Sequence, residues 1–317
     1  MELSKIKKLA EAVQANMSSV LVGLDDTIGL VLTSLLCGGH VLLEDVPGVG
    51  KTMLAKCLAR SLDCDFKRVQ FTPDLLPSDL TGINYFDQKQ AEFVFRPGPV
   101  FSNVVLADEI NRATPRTQAS LLECMEEGQV TVDGVTRKLL NPFFVIATQN
   151  PVETRVTFPL PEAQLDRFFM RLRMGYPSVE EGREILQRFR GPDPTTALKT
   201  VVSGGEVTDA RSSFSVVHVS DAVEGYIVNI AEATRKDEKI SLGVSPRGTI
   251  ALMRAAQVTA VLDDRDYVTP DDVKKVAVPV LAHRLILKGH GIAGGTDQAE
   301  AAVRDILKHV PVPTEEI

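Results

Sequence analysis

Short apolar runs alternate with amphipathic segments through the first half of the chain. Five strands are predicted, at residues 40–45, 66–71, 103–108, 142–149 and 168–174. In the first, third and fourth of them the apolar run is nearly continuous, as is typical of strands buried on both faces of a sheet. The segment after the first strand carries leucines four positions apart, which predicts a helix over residues 52–63. This alternation indicates a parallel sheet covered on both faces.

Two segments interrupt the alternation and predict β-hairpins. Residues 83–95 alternate around a polar centre, and residues 129–138 contain Asp133-Gly134 between alternating positions, which is a strong hairpin signal. Two explanations of these hairpins are equally consistent with the sequence. They are either surface decoration, or their tips contact a partner or a substrate. Tyr85 and Phe86 in the first hairpin are candidate pore aromatics, although packing in a core would account for them too.

From about residue 177 onward the pattern becomes helical. Helices are predicted to begin after four cap residues, Ser178, Ser220, Ser245 and Thr269, and a last helix spans 298–309. The glycines of 288–295 predict a turn before that helix, and the proline- and glycine-containing segment 191–213 predicts a loop or linker. The expected organisation is an α/β core over residues 1–176, followed by a small all-helical domain over residues 177–317.

Composition and charge narrow the class of function. A chain of 317 residues with 44% hydrophobic residues can form two domains with real cores. No apolar run approaches the ~20 residues of a membrane span, and the N-terminus has the pattern of an amphipathic helix rather than a secretion signal. The cytoplasm is therefore the expected location. A net charge of −7 and 5% aromatic residues argue against a broad nucleic-acid surface.

Residues 40–52 contain most of a phosphate-binding loop, in which an apolar run opens into a glycine-rich turn ending at Lys51-Thr52. Backbone N–H groups of such a turn point at phosphate oxygens, lysine supplies a cation and the threonine hydroxyl binds Mg²⁺. The residues expected to contact the nucleotide are Pro47, Gly48, Val49, Gly50, Lys51, Thr52 and Met53. The strict G-x-x-x-x-G-K-[ST] pattern requires glycine where this chain has Asp45. Because position 45 ends the strand before the turn proper, we expect binding to survive.

Polar residues follow two further strands at their carboxyl ends, where open α/β sheets bind ligands. The third strand ends in Asp108-Glu109. Asp108 is expected to hold Mg²⁺, directly or through water, and Glu109 to act as the general base on an attacking water. The alternative is an acidic pair that caps the next helix. Asn150 ends the fourth strand and is suited to positioning the same water.

The order of the motifs PGVGKT, LADEINRA, IATQNP, LPEAQLDRF and GVSPRG resembles the MoxR group of AAA+ ATPases. The resemblance covers roughly residues 1–290. It implies an AAA+ P-loop core with hairpin inserts, a helical lid, and ATP and Mg²⁺ as ligands. It also implies an ATP-driven homo-oligomeric ring, usually a hexamer, in which the nucleotide lies between neighbouring subunits.

The resemblance assigns roles to individual residues. It matches Walker A, Walker B, sensor 1 and sensor 2 to Lys51-Thr52, Asp108-Glu109, Asn150 and Arg247. Arg167 matches the arginine finger that reaches a neighbour's γ-phosphate. Val22-Gly23 resembles the segment that lines the adenine. The residues alone leave the finger open, since Arg112, Arg116 and Arg171 lie nearby and an arginine next to Asp166 could simply be salt-bridged.

The leading hypothesis is an ATPase that remodels, assembles or matures a client protein. The resemblance associates it with a partner containing a von Willebrand factor A domain, which must be a separate chain because no DxSxS motif is present. Alternatives are the ATPase subunit of a metal chelatase and a nucleic-acid motor, which the acidic charge disfavours. A small-molecule kinase would work as a monomer, whereas a trans arginine requires a neighbour.

Overall fold

The fold is that of a computed structural model, which describes residues 1–150, 157–288 and 295–313. The strands are β1 (Val41–Glu44), β2 (Phe66–Gln70), β3 (Gly82–Asp87), β4 (Glu92–Pro97), β5 (Val104–Asp108), β6 (Gln129–Val132), β7 (Val135–Lys138), β8 (Phe144–Gln149), β9 (Met170–Leu172), β10 (Ile240–Leu242) and β11 (Ile286–Leu287). The helices are α1 (Leu3–Ser18), α2 (Asp25–Leu36), α3 (Lys51–Ser61), α4 (Pro77–Thr81), α5 (Pro115–Glu127), α6 (Glu162–Leu165), α7 (Val179–Arg188), α8 (Gly204–Ser213), α9 (Asp221–Lys236), α10 (Pro246–Leu262), α11 (Pro270–Leu281) and α12 (Gly295–His309).

The five predicted core strands form one parallel sheet in the order β2-β5-β8-β1-β9. Alternate residues of β1 face opposite sides, so that Val41 and Leu43 join one apolar cluster and Leu42 joins the other. The first cluster packs against α1–α3, and the second packs against α4 and α5. This arrangement confirms the predicted α/β fold class and explains why the β1 sequence is a continuous apolar run.

The C-terminal part is helical, and we call residues 177–288 and 295–313 the lid region. Helix α1 contacts both the core helices α2 and α3 and the lid helix α10. The first apolar cluster continues from the sheet into the lid region without a break. The boundary between residues 176 and 177 stays a prediction.

The caps predicted for the lid helices are present. Ser178 Oγ accepts from the N–H of Glu181, whose carboxylate accepts from the N–H of Ser178 at 2.7 Å. The hydroxyls of Ser220 and Ser245 each accept from a backbone N–H three residues later in α9 and α10, and Thr269 forms a capping box with Asp272. The predicted turn at 288–295 lies almost entirely outside the described residues.

The prediction of a loop over residues 191–213 was wrong for its second half. Helix α8 occupies residues 204–213 there, and Ser203 caps it through a reciprocal pair with Glu206. Val207 and Ala210 on this helix are fully buried in the first apolar cluster. Tertiary packing thus overrides the low helix propensity of two consecutive glycines. The lid region also contains the short antiparallel pair β10–β11, which the all-helical expectation did not include.

Both predicted hairpins form, as β3–β4 and β6–β7. Positive φ angles at Asp133 (51°) and Gly134 (78°) give the second hairpin the tight turn that its sequence predicted. The hairpins contact each other, since Asn84 Nδ2 donates to Asp133 Oδ2 at 2.6 Å and the Arg137 guanidinium lies 3.9 Å from the centre of the Phe95 ring.

The aromatic side chains of the first hairpin are exposed rather than packed in a core. The exposed fractions are 43% for Tyr85, 51% for Phe86 and 74% for Phe93. The rings of Phe86 and Phe93 meet edge to face, 5.4 Å apart. Packing in a core therefore does not explain these residues. Within the described part of the chain, no helix is both long and apolar enough to cross a membrane.

Two buried histidines are expected to lower the free energy of unfolding in acid. Burial lowers the pKa of His40 from 6.5 to about 4, and burial together with Arg284 lowers that of His283 well below 6.5. Below pH 6.5 the unfolded chain therefore binds protons that the native protein does not, so the free energy of unfolding falls as the pH drops towards 4. Each histidine contributes up to about 1.4 kcal/mol per pH unit.

Urea unfolding at several pH values between 7.5 and 4.5 measures this slope. In His40→Asn, we expect the free energy of unfolding to fall less steeply as the pH drops. In the wild type, His40 Nδ1 accepts from the N–H of Val145 at 3.0 Å, and the asparagine side chain keeps an acceptor for that N–H. The control is His309→Asn, at an exposed position of α12, and it should match the wild type. If the free energy of unfolding depended on pH equally in all three proteins, His40 would not be a source of the acid sensitivity.

Candidate active site

The glycine-rich turn leaves β1 and leads directly into α3. Gly48 and Gly50 have φ angles of 88° and 98°, a region that glycine enters without strain. A Cβ built on Gly48 would meet no atom within 4 Å, so it is the positive φ angle and not crowding that favours glycine there. Helix α3 begins at Lys51, directly after the turn, so its N-terminal N–H groups, which favour anions, lie at the end of the loop. The side chain of Met53 packs against the first apolar cluster, which leaves only its backbone for a ligand.

Lys51 is the cation of this turn, and it lies among acidic groups. Its Nζ donates to the carbonyl oxygen of Asp45 at 2.8 Å. Burial lowers the pKa of the Lys51 amine, and the negative charges that act against this lowering belong to Asp108, Asp45 and Glu109. The fold therefore brings the predicted lysine and the predicted acidic pair into one electrostatic site.

Thr148 on β8 fixes the acidic pair at the end of β5. Its hydroxyl donates to Asp108 Oδ1 at 2.6 Å and accepts from the N–H of Glu109 at 2.9 Å. The other oxygen of Asp108 accepts from Arg68 Nη2 at 2.6 Å and Nε at 3.1 Å. Sequence reasoning missed Arg68, because strand β2 joins this site only through its pairing with β5.

The carboxylate of Glu109 is held in place by two donors. Its Oε2 accepts from Gln70 Nε2 at 2.8 Å and from Arg112 Nη1 at 2.9 Å. The backbone of Glu109 has φ 57°, a left-handed conformation that is uncommon for a residue other than glycine and that concentrates at functional sites. The side chain of Glu109 makes no capping hydrogen bond to the short 3₁₀ helix Ile110–Arg112 that follows, which disfavours the alternative role of a helix cap.

Asn150 follows β8, which lies in the sheet between the phosphate-loop strand β1 and the acidic strand β5. The carbonyl of the preceding residue, Gln149, accepts from the N–H of Asp45 at 3.2 Å. Asn150 thus follows a strand that lies between the strands leading to Lys51 and to the acidic pair, and its role in positioning a water stays a prediction.

The two candidate phosphate-sensing arginines share one carboxylate. Glu126 at the end of α5 accepts from Arg247 Nη2 at 2.5 Å through Oε1, and its Oε2 lies 3.2 Å from Arg167 Nη2. Asp166, the neighbour that could have neutralised Arg167, pairs instead with the buried Arg284 at 2.7 Å. Arg167 and Arg247 therefore form one cluster around Glu126, a residue that sequence reasoning did not single out.

Helix α7 of the lid region covers the segment proposed to line the adenine. Gly23 has φ 70°, and a Cβ there would lie 2.2 Å from a carboxylate oxygen of Glu181. Arg188 Nη1 donates to the carbonyl of Ser18 at 2.7 Å, just before Val22-Gly23. The lid region and the predicted adenine segment are thus in direct contact.

The donor set at the centre of the site fits a nucleotide–magnesium complex. Thr52 and Asp108 offer a hydroxyl and a carboxylate, the hard oxygen ligands that Mg²⁺ takes together with phosphate and water. The described residues contain no group of three or more His, Cys, Asp or Glu side chains that could hold a metal ion. A magnesium site of this kind requires no such group, because most of its ligands come from the nucleotide and water.

Comparison with known proteins gives the family. A family model described as the ATPase family associated with various cellular activities (AAA) matches residues 40–170, and an AAA lid domain model matches residues 232–306. The Chaperone MoxR1 of Mycobacterium tuberculosis is 41% identical over 303 residues, which cover 93% of this chain and 80% of that protein. The chain belongs to the MoxR family of AAA+ ATPases.

Two further relatives agree with this family. The Uncharacterized protein YeaC of Bacillus subtilis is 52% identical over 307 residues, which cover 97% of this chain and 95% of that protein. The crystal structure of a candidate ATPase from Cytophaga hutchinsonii matches with a TM-score of 0.90 at 39% identity, and it covers 98% of this chain and 97% of that one. Family membership makes the protein an ATPase with an AAA+ core and a helical lid, and it points to oligomeric assembly.

Proposed function

We propose that the protein is a Mg²⁺-dependent ATPase that works as a homo-oligomeric ring, a hexamer, and uses hydrolysis to remodel or mature a client protein in the cytoplasm. The observation that carries this proposal is the convergence of Lys51, Asp108 and Glu109 beyond the carboxyl ends of β1 and β5, two parallel strands that are separated in the sheet only by β8. The MoxR1 relative is named a chaperone, which supports a protein as the client.

The residues of one subunit divide the work on the β–γ phosphoanhydride. Backbone N–H groups from Pro47 to Gly50 and the Lys51 amine bind the phosphates. When bound, Mg²⁺ held by Thr52 and Asp108 would neutralise charge that develops on the phosphate oxygens. Glu109 takes a proton from the attacking water, which Asn150 orients.

We infer that Arg167 and Arg247 act on the nucleotide of the neighbouring subunit. Glu126 gathers both guanidinium groups into one cluster, whereas Lys51 is surrounded by a different set of carboxylates. A γ-phosphate carries more negative charge than Glu126 and offers bidentate acceptors, so it competes for both arginines. When the neighbouring subunit holds a triphosphate, either arginine would then leave Glu126 and bind the γ-phosphate instead.

The first hairpin is the proposed contact for the client. Its exposed aromatic side chains form an apolar surface that unfolded protein segments, which expose apolar residues, can bind. A separate protein with a von Willebrand factor A domain is the proposed partner that brings the client to the ring. The second hairpin carries Arg137-Lys138, but the tip of the first offers only Lys89 against Asp87 and Glu92, and the net charge is −7, which together disfavour nucleic acid as the substrate.

The client proposal predicts that an unfolded protein stimulates the ATPase through this hairpin. Reduced, carboxymethylated lactalbumin should raise the turnover in the presence of Mg²⁺. In the double variant Phe86→Ser with Phe93→Ser, the ratio of stimulated to unstimulated turnover should fall to about one, because truncating exposed aromatic anchors removes most of the binding energy of such a surface.

Val216→Ser is the matched control, since this exposed apolar residue lies in the lid region, away from the hairpin. The control should keep the wild-type ratio. Equal stimulation of the wild type and the double variant would exclude the hairpin as the contact. Stimulation by single-stranded DNA, with none by unfolded protein, would favour the nucleic-acid motor instead.

A further inference from the structure

Asp45, the residue that replaces the first glycine of the phosphate-loop pattern, makes contacts that no glycine can make. Its Oδ2 accepts from the N–H groups of Met174 at 2.7 Å and Gly175 at 2.8 Å. Its Oδ1 accepts from the N–H of Val46 at 2.9 Å, inside the loop itself. One carboxylate therefore joins the phosphate loop to residues 174–175, and charge makes these hydrogen bonds stronger than neutral ones.

The backbone of Asp45 connects the same residue to the catalytic elements. Its carbonyl oxygen accepts from Lys51 Nζ at 2.8 Å, and its N–H donates to the carbonyl of Gln149 at 3.2 Å. Asp45 thus uses its side chain, its carbonyl and its N–H for three different purposes. A movement of Lys51 towards a phosphate would therefore break a hydrogen bond to the same residue whose carboxylate holds the linker.

Residues 174–175 lie in the linker that joins β9 to the first lid helix, α7. Gly175 has φ 72°, which marks a sharp change of chain direction at this point. The side chain of Met174 packs against the first apolar cluster, whereas the residue after Gly175, Tyr176, is 79% exposed. The two hydrogen bonds to Asp45 therefore hold the linker backbone at the point where the lid region leaves the core.

A second connection runs parallel to the first. The buried carboxylate of Glu44 lies 3.8 Å from Arg171 on β9 and 3.8 Å from Arg173, which directly follows that strand. Arg173 in turn pairs with Asp297 and Glu300 on the last lid helix, α12. The end of β1 is therefore linked to the lid region both through the linker and through a lid helix.

We propose that Asp45 is a positioning residue that couples the phosphate loop to the linker between the core and the lid region. This inference rests on the proposed function, since nucleotide is what displaces Lys51. Binding of a nucleotide alters the Asp45 carbonyl contact, the carboxylate shifts, and the N–H groups of Met174 and Gly175 lose or tighten their hydrogen bonds. The nucleotide state thereby sets the orientation of the lid region.

Hydrogen–deuterium exchange of the amides of residues 174 and 175, with and without ADP, tests this coupling. In the wild type, we expect ADP to change their exchange rates by on the order of tenfold, because the hydrogen bonds protect them. In Asp45→Asn and Asp45→Gly, the same amides should exchange faster without ADP and lose their response to it. Asp209→Asn, at an exposed position of α8, should behave as the wild type.

A parallel titration with a fluorescent ADP separates the two proposals. Wild-type protein that binds no nucleotide would overturn the proposed function and this inference together. Wild-type protein that binds ADP without any change of exchange at 174–175 would overturn the coupling alone. Unaltered exchange and an unaltered response to ADP in both Asp45 variants would overturn the role of Asp45 as well. The wild-type measurement requires no variant to fold.

Discussion

Replacing Arg167 with alanine is expected to lower the ATP turnover number about a thousandfold or more and to leave nucleotide affinity nearly unchanged. The reason is that Arg167 clusters with Arg247 at Glu126, apart from the carboxylates around Lys51 in the same subunit. A guanidinium supplied by a neighbour stabilises charge in the transition state of hydrolysis, while the phosphate loop holds the nucleotide in the ground state. The measurement compares steady-state turnover with the Kd of a fluorescent ATP analogue.

Arg254→Ala is the control for Arg167, because Arg254 is an exposed arginine of α10 to which no role in the site is assigned. Its turnover should stay within about twofold of the wild type, as for most exposed substitutions. Loss of nucleotide affinity in Arg167→Ala, in proportion to the loss of turnover, would show that Arg167 binds the nucleotide of its own subunit. Unchanged turnover would remove it as the finger.

Replacing Glu109 with glutamine is expected to lower turnover 10²- to 10⁴-fold, roughly the contribution of a general base. Glutamine has nearly the same shape and its oxygen still accepts from Gln70 or Arg112, so the site should keep its geometry. The amide cannot take a proton from water. ATP affinity should therefore be preserved, and bound ATP should be recovered intact after rapid gel filtration.

Glu123→Gln and Glu127→Gln are matched controls for Glu109→Gln, since both residues are exposed glutamates of α5. Both should hydrolyse ATP at the wild-type rate. A Glu109→Gln protein with normal turnover would contradict the role of Glu109 as the base. If Glu109→Gln no longer bound ATP, the role of Glu109 would be to maintain the nucleotide site and not to accept a proton from water.

Local signals in the sequence were sufficient for the sheet, the hairpins and the main cap residues. The apolar run of β1, the Asp133-Gly134 turn and the cap at Ser178 each depend on residues close together in the chain, and each is found in the structure. Helix α8 was missed because its stability comes from burial of Val207 and Ala210, which a local pattern rich in glycine and serine does not reveal.

The phosphate-loop lysine and the acidic pair were predictable because each stands in a short motif at the end of a strand. The residues that position them were not, since they come from distant parts of the chain. Thr148 reaches Asp108 from a different strand, and Gln70 reaches Glu109 from another. Glu126 likewise meets Arg247 across 121 positions of sequence. Only the folded arrangement brings such partners together.

Asp45 is a further residue whose contacts could not be predicted from the sequence. The sequence made Asp45 a defect in a motif, and the expectation was only that binding would tolerate it. In the folded protein its carboxylate accepts three backbone hydrogen bonds, one of them from within the loop and two from the linker to the lid region. A departure from a motif can thus mark an added structural connection.

The most direct test of a shared active site is to mix the two inactive variants, Arg167→Ala and Glu109→Gln. Each variant supplies what the other lacks, provided that the site lies between subunits. Co-assembled at equal amounts, they should recover about a quarter of the wild-type turnover, the fraction of interfaces in a randomly mixed ring that combine an intact Glu109 with an intact Arg167. Turnover in the mixture no higher than that of the separate variants would contradict a site completed by the neighbouring subunit.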